Sequence, residues 1–279
     1  MQIESFLYGL FGLIIGSFLN VCIYRIPRRK SIAFPGSSCP GCGKPIRFYD
    51  NIPVLSYLLL RGKCRACGTS ISVRYPLVEL LTGLVFFVCW QSWGLSSATF
   101  VNSLFLAIVI TLSFIDSHHQ ILPNVITLPG LAAGILLSPL QLFSFYSDGV
   151  TARIASALSP GNPFAALPWT GSLLGALIGG GSLLLVGVGY LRLRKRQGLG
   201  MGDVKMMAMV GAFLGWPLAL LTIFAGSVLG TIVGIFMIVF RQSNLQTKLP
   251  FGVFLGIASA LMLFYGLPFL SWYLGSFRI

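Results

Sequence analysis

The chain has 279 residues, 56% of them hydrophobic and 9% charged, with a mean hydropathy of +0.87. That is too apolar for a soluble globular domain of this length and describes a polytopic membrane protein. A formal net charge of +13 suits a nucleic-acid binder at first sight, but the placement of the basic residues explains the excess by membrane topology and sets nucleic acid aside as a partner.

A helix needs about 20 apolar residues to cross roughly 30 Å of hydrocarbon. Runs of that kind fall at about 5–24, 75–93, 98–115, 121–143, 168–190, 203–219, 220–240 and 250–275, with the sixth and seventh dividing near Trp216 and Pro217. The runs are continuous rather than alternating, which predicts helices and excludes a membrane barrel. The first has no basic segment before it and carries "RIPRRK" after it, the pattern of a retained anchor rather than a cleaved signal. Small residues in "GALIGGGS", Gly175 to Ser182, predict close helix packing. The fold expected is an all-α polytopic membrane protein of about eight helices, with one small cytoplasmic module inserted after the first.

Of the 19 lysines and arginines, ten lie between Arg25 and Arg74, five between Arg192 and Lys205, and two at Arg241 and Lys248. An eight-span chain puts all of these on one side, which the positive-inside bias makes cytoplasmic. Both termini then face outward, and Lys205 is one more positive-inside residue. The organisation predicted is a first helix over 1–26, a cytoplasmic loop module over 27–74 and a seven-helix core over 75–279.

The loop carries "CPGCGKPI" and "CRACGTSI", so Cys39 and Cys42 form one CxxC pair and Cys64 and Cys67 a second. Two such knuckles offer four thiolates to a tetrahedral zinc ion, with a glycine after each second cysteine to turn the backbone around it. Two disulfides or four idle thiols are the other readings. The reducing side of the membrane disfavours the first, and the spacing disfavours the second. Four cysteines leave no open coordination position, so the zinc is structural, and a loop of this size depends on it for folding energy. Cys22 and Cys89 stand alone within spans and read as packing residues.

The chain has six acids: Glu4, Asp50, Glu79, Asp116, Asp148 and Asp203. Glu4 and Asp148 fall near or beyond the outer surface, and Asp50 lies in the loop. Glu79, Asp116 and Asp203 fall at the inner membrane boundary, where ionisable groups are costly and face a partner or a wet cavity. Taken alone, Asp203 after "GLGMG" reads as an N-cap, and Asp116 in "SFIDSHHQILPN" as an interfacial residue closing a helix. Taken together, the two sit at one depth on one leaflet. Two close carboxylates share a proton, so that one activates water while the other donates to a carbonyl oxygen, the chemistry of an aspartyl protease. Helix dipoles predict Asp203, at a helix N-terminus, as the ionised partner and Asp116, at a helix C-terminus, as the protonated one. The glycines of "GLGMG" admit an extended peptide closely. His118 and His119 read as interface residues, or as groups that tune the pair or bind a metal.

The segments "GSFLNVCIYRIP", "CPGCGKPI", "NIPVLSYLLLRGKCRACG", "ISVRYPLVELLTG", "FIDSHHQILPN", "GLGMGDVK" and "LPFGVFLG" together resemble, in order, the bacterial type IV prepilin peptidases, from about Gly16 to Gly256. The resemblance implies an inner-membrane Gly-x-Gly-Asp aspartyl protease that cuts the basic leader from prepilins and type II secretion pseudopilins at the cytoplasmic face. It implies Asp116 and Asp203 as the catalytic positions, and S-adenosylmethionine as donor for N-methylation of the new terminus. The methylation rests on resemblance alone; no motif here marks a donor site. Asn124 and His118 stand where family members often carry acids, and Asp50 where a glutamate is common. On the cytoplasmic side, Asp50 and Glu79 are the other acids available to hold a basic leader. A polytopic transporter and a non-enzymatic zinc-loop scaffold are the competing readings; no internal repeat supports the first, and the second leaves the paired acids unexplained.

Overall fold

A computed structural model of the chain describes residues 2–141, 168–196, 198–241 and 249–276. Asp148 and Lys248 lie outside the described residues. Among these the chain is helical: α1 (Gln2–Arg25), a short α2 (Leu55–Leu59), α3 (Arg74–Trp93), α4 (Ser97–His119), α5 (Asn124–Gln141), α6 (Pro168–Arg194), α7 (Met201–Leu214), α8 (Trp216–Arg241) and α9 (Phe251–Ser276). There are no strands among them, only isolated bridges at Ser38 and Pro45 and at Lys63 and Ser70.

The eight long helices correspond to the eight apolar runs. Six are long and apolar enough to cross a membrane, those being α1, α3, α4, α6, α8 and α9. The other two are shorter. Helix α5 carries Pro129 and Pro139 within it, and α7 has 14 residues, which gives it a rise of about 21 Å. The chain is therefore a multi-pass membrane protein.

The sequence placed the end of the sixth run near Trp216 and Pro217, and let it continue to 219. The helix stops instead at Leu214, because Gly215 takes φ 79° and its N–H returns to the Gly211 carbonyl. Pro217 then sits in the first turn of α8, where its missing N–H costs nothing. At the other junction, α4 runs through His119, so Asp116 lies one turn inside it rather than closing it. Gln120, at φ 51°, donates its N–H to the Asp116 carbonyl at 2.9 Å and ends the helix.

The chain forms two compact units, 1–111 and 112–279. In the first, α1 and α3 meet along small residues. A Cβ on Gly12 would lie 2.7 Å from Phe86 Cβ, and one on Gly16 would lie 2.7 Å from Glu79 Cα. Backbones approach this closely only where side chains are absent. Tyr8 fills the space beyond, stacked on Phe86 at 5.3 Å with its hydroxyl 3.1 Å from Ser103 Oγ.

In the second unit α7 is the enclosed element. Met206, Met207 and every residue from Met209 to Leu214 are buried. Gly175 of α6 and Gly211 of α7 face each other so closely that a Cβ on either would overlap the other's carbonyl, and a Cβ on Gly179 would lie 2.6 Å from the Met207 oxygen.

Candidate active site and metal centre

Three segments of the second unit converge around Leu122. It belongs to the "ILPN" turn between α4 and α5 and is buried. A Cβ on Gly202, in the first turn of α7, would lie 2.9 Å from Leu122 Cβ. A Cβ on Gly252, in the first turn of α9, would lie 3.2 Å from Leu122 Cδ1 and 2.9 Å from Asp116 Oδ2. Leu122 thus seats between two glycines, each beside one of the two aspartates. Asp116 is 5% exposed, Asp203 is half-buried, and the two carboxylates lie close enough to act on each other electrostatically.

This geometry revises two expectations. The N-cap of α7 is Gly200, with extended φ −77° and ψ 138°, and the Asp203 carboxylate turns back to its backbone amide. Asp203 is the third helical residue, its Oδ2 turned back to within 3.2 Å of where a Gly200 Cβ would be. Although Asp116 stands in the last turn of α4, its carboxylate faces the amides of Gly252 and Val253 at the start of α9. Both carboxylates therefore lie at positive helix ends, and the dipole argument that assigned the proton to Asp116 no longer separates them. The buried Asp116 carboxylate is thus packed against the start of α9.

Around the pair, Lys205 Nζ donates to Asn124 Oδ1 at 2.8 Å, tying the start of α7 to the start of α5. The neutral Asn124 serves that lysine as an acceptor. His118 is exposed, with Nδ1 2.8 Å from Ser117 Oγ and 3.2 Å from the Phe114 carbonyl on its own helix. The other two acids are engaged within the first unit. Arg65 donates to both oxygens of Asp50 at 2.8–3.0 Å, and this guanidinium holds the Asp50 carboxyl below the usual range. Glu79 is buried and accepts the Val54 N–H at 2.8 Å. Sequence reasoning quoted "LPN" and "LPFG" without giving Leu122 or Gly252 a role; proline beside a glycine-start helix was the available signal.

The four loop cysteines come together with every pair of sulfurs within 4.8 Å, and Cys39 Sγ stands 3.8 Å from Cys67 Sγ. A tetrahedral ion with Zn–S bonds of about 2.3 Å sets its sulfurs about 3.8 Å apart, so the donor set fits such an ion. The cluster can hold a metal ion. Two equivalent turns build it: Gly43 N–H returns to the Cys39 carbonyl at 2.8 Å and Gly68 N–H to the Cys64 carbonyl at 2.9 Å. Gly43 and Gly68 take φ 70° and 71°, a region glycine enters without steric cost.

Two family models match the chain: that of the bacterial peptidase A24 N-terminal domain over residues 10–93, and that of the type IV leader peptidase family over 103–235. Proteins named prepilin leader peptidase/N-methyltransferase are similar to it. The one from Myxococcus xanthus is 40% identical over 228 residues, 81% of this chain and 61% of that protein's own length. The one from Pseudomonas putida is 34% identical over 277 residues, covering 91% of this chain and 88% of the relative. For Neisseria gonorrhoeae the figures are 38% over 256 residues, 83% and 81%. No solved structure matches. On these matches, which run from the double-cysteine loop through both aspartate segments, the chain belongs to the type IV leader peptidase family.

Proposed function

We propose that this protein is an aspartyl endopeptidase of the bacterial inner membrane. It removes the basic leader of type IV prepilins and type II secretion pseudopilins at the cytoplasmic face, with both termini of the enzyme in the periplasm. What supports the reading is the placement of Asp116 against Gly252 and of Asp203 next to Gly202, with both glycines packed on Leu122. One carboxylate takes a proton from water as the water attacks the scissile carbonyl carbon, and the other gives its proton to the carbonyl oxygen. Collapse of the tetrahedral intermediate breaks the C–N bond and passes a proton to the leaving amine. The pair titrates as a unit, so neither aspartate is assigned the acid role alone.

In this reading 1–26 is the first helix, 27–74 a zinc module and 75–279 the peptidase core. Cys39, Cys42, Cys64 and Cys67 hold Zn²⁺ in a closed sphere that folds the loop and gives water no coordination position. The relatives' names support a second activity, N-methylation of the new terminus with S-adenosylmethionine as donor. In the first unit, a groove of about 850 Å³ between α1 and residues 51–58 has the volume for that donor. Its lining is apolar apart from Ser17 and Asn51, which does not suit ribose hydroxyls and a charged amino-acid end, so it is not assigned as the donor site.

The test is cleavage of a prepilin by membranes carrying the chain or its Asp116→Asn or Asp203→Asn variant. Each variant is expected to lose activity by a factor on the order of 10³ or more while remaining inserted. Cleavage by both variants at the parent rate would return the aspartates to structural roles.

A further inference from the structure

We propose that Ile52–Leu60 of the cytoplasmic loop is a re-entrant element that dips into the inner leaflet beside α1, and that the groove between them is filled by phospholipid acyl chains. The segment reads "IPVLSYLLL", apolar but far too short to span, the length expected of an interfacial or re-entrant stretch.

Its depth follows from one axial distance and two contacts. Gly16 lies nine residues before Arg25, the cytoplasmic end of α1, which is about 13 Å along the axis. Glu79 Cα packs at Gly16. Val54 N–H then meets Glu79 Oε2 at 2.8 Å, so the segment reaches well inside the helix pair. Val54 takes φ 61° and ψ −49°, a rare conformation for a β-branched residue, and that backbone turn aims its N–H at the carboxylate.

The backbone is provisioned for a place without water. Pro53 has no N–H. Ile52 N–H goes to Ser56 Oγ at 3.0 Å, whose hydroxyl donates in turn to the Tyr49 carbonyl at 2.9 Å. The amides of Leu55, Ser56, Leu58, Leu60, Arg61, Gly62 and Lys63 each reach a carbonyl within the same stretch at 2.6–3.1 Å. Irregular backbone survives at membrane depth only when its polar groups are satisfied internally.

The side chains point the other way. Leu55, Leu58 and Leu59 are exposed, Leu59 at 73%. They continue the row Leu10, Ile14 and Phe18 on α1, whose exposed faces line the same groove. That row runs along a membrane-crossing helix at one-turn spacing, so its cover is acyl chain, and the groove opens from it. Exposed Arg47 precedes the segment and exposed Arg61 and Lys63 follow it, where cations meet anionic headgroups.

The test uses the full chain in vesicles of phosphatidylethanolamine and phosphatidylglycerol. A benzophenone amino acid replaces Leu58, Leu59 or, as a water-side control in the second knuckle, Ser70. Irradiation is expected to give lipid adducts at positions 58 and 59 several-fold above those at 70, by mass. Introducing Glu79→Ala should lower the yield at 58 while the loop keeps its metal. Equal yields at all three positions would overturn the proposal, as would adducts that pass from lipid to an added prepilin, which would make the substrate helix the occupant. Neither result bears on whether the chain cleaves prepilins.

Discussion

The knuckles and the aspartate recess are both glycine-bearing sites, yet they are assembled differently. In the knuckles each turn closes within a few residues, as in Cys39 to Gly43 and Cys64 to Gly68, and glycine is needed for its positive φ. In the recess, three segments far apart in sequence meet at Leu122, and glycine is needed because no Cβ fits. A local site writes its geometry into spacing, and a long-range site writes only its ingredients.

Removing the zinc proposed for the knuckles should separate the two most sharply. Structural zinc contributes on the order of 10 kcal/mol to small cysteine modules, so chelation of the intact protein is expected to melt the knuckles. Rapid tryptic cutting after Arg47 and Lys63 would report it. An unchanged digestion pattern would mean that the loop is folded by its other contacts.

A smaller effect is expected from Gly252→Ala. The new Cβ would stand 2.9 Å from Asp116 Oδ2 and push the carboxylate aside. Displacements near 1 Å cost about 10²-fold in rate, so prepilin cleavage should fall by about that factor with insertion and thermal stability unaltered. Full activity would show that the Asp116 carboxylate has slack.

The same substitution at Gly43 meets nothing within 4 Å, but the residue sits at φ 70°. Here the cost is backbone strain of about 1 kcal/mol, to be read as a several-fold loss of metal affinity in competition with a chelator. A loss as large as that from Cys42→Ser would contradict this account.

The weakest expected effect concerns Asp50 and Arg65. Arg65 depresses the Asp50 carboxyl, so the pair stabilises the loop above the ordinary carboxylate range, near pH 4, and this is lost as pH falls through the depressed value. Arg65→Gln should remove that contribution and flatten the acid limb of the thermal-unfolding profile relative to the parent. Coincident profiles would leave the pair without a stabilising role.

The same contrast explains what was legible beforehand. Hydrophobic run length located eight helices, because membrane hydrocarbon imposes a length that composition must match. The CxxC spacing located the four cysteines, which the fold does gather within 4.8 Å. Shared depth, the chemistry of paired carboxylates and the family resemblance together suggested that Asp116 and Asp203 meet, since topology brings both to one leaflet. The partner of Asp116 was not legible: the start of α9 lies more than a hundred residues downstream, and nothing near Asp116 announces it. Gly215 also escaped, because a single glycine inside an apolar run looks like any other packing glycine until its φ is known. Asp50 and Glu79 looked available to a basic leader, but Arg65 and the Val54 amide already engage them.

Helix α7 is pinned to α6 where Gly175 and Gly211 leave no side chain between the backbones. Flexible side chains act as bearings that let neighbouring helices creep along each other, and this junction has none. Asp203, two turns below that pin, is consequently held at one height relative to α6. On the proposed mechanism, a substrate threaded beside it would be measured by a fixed gauge, and the bond presented for hydrolysis would be chosen by its distance from the hydrocarbon rather than by the residues around it.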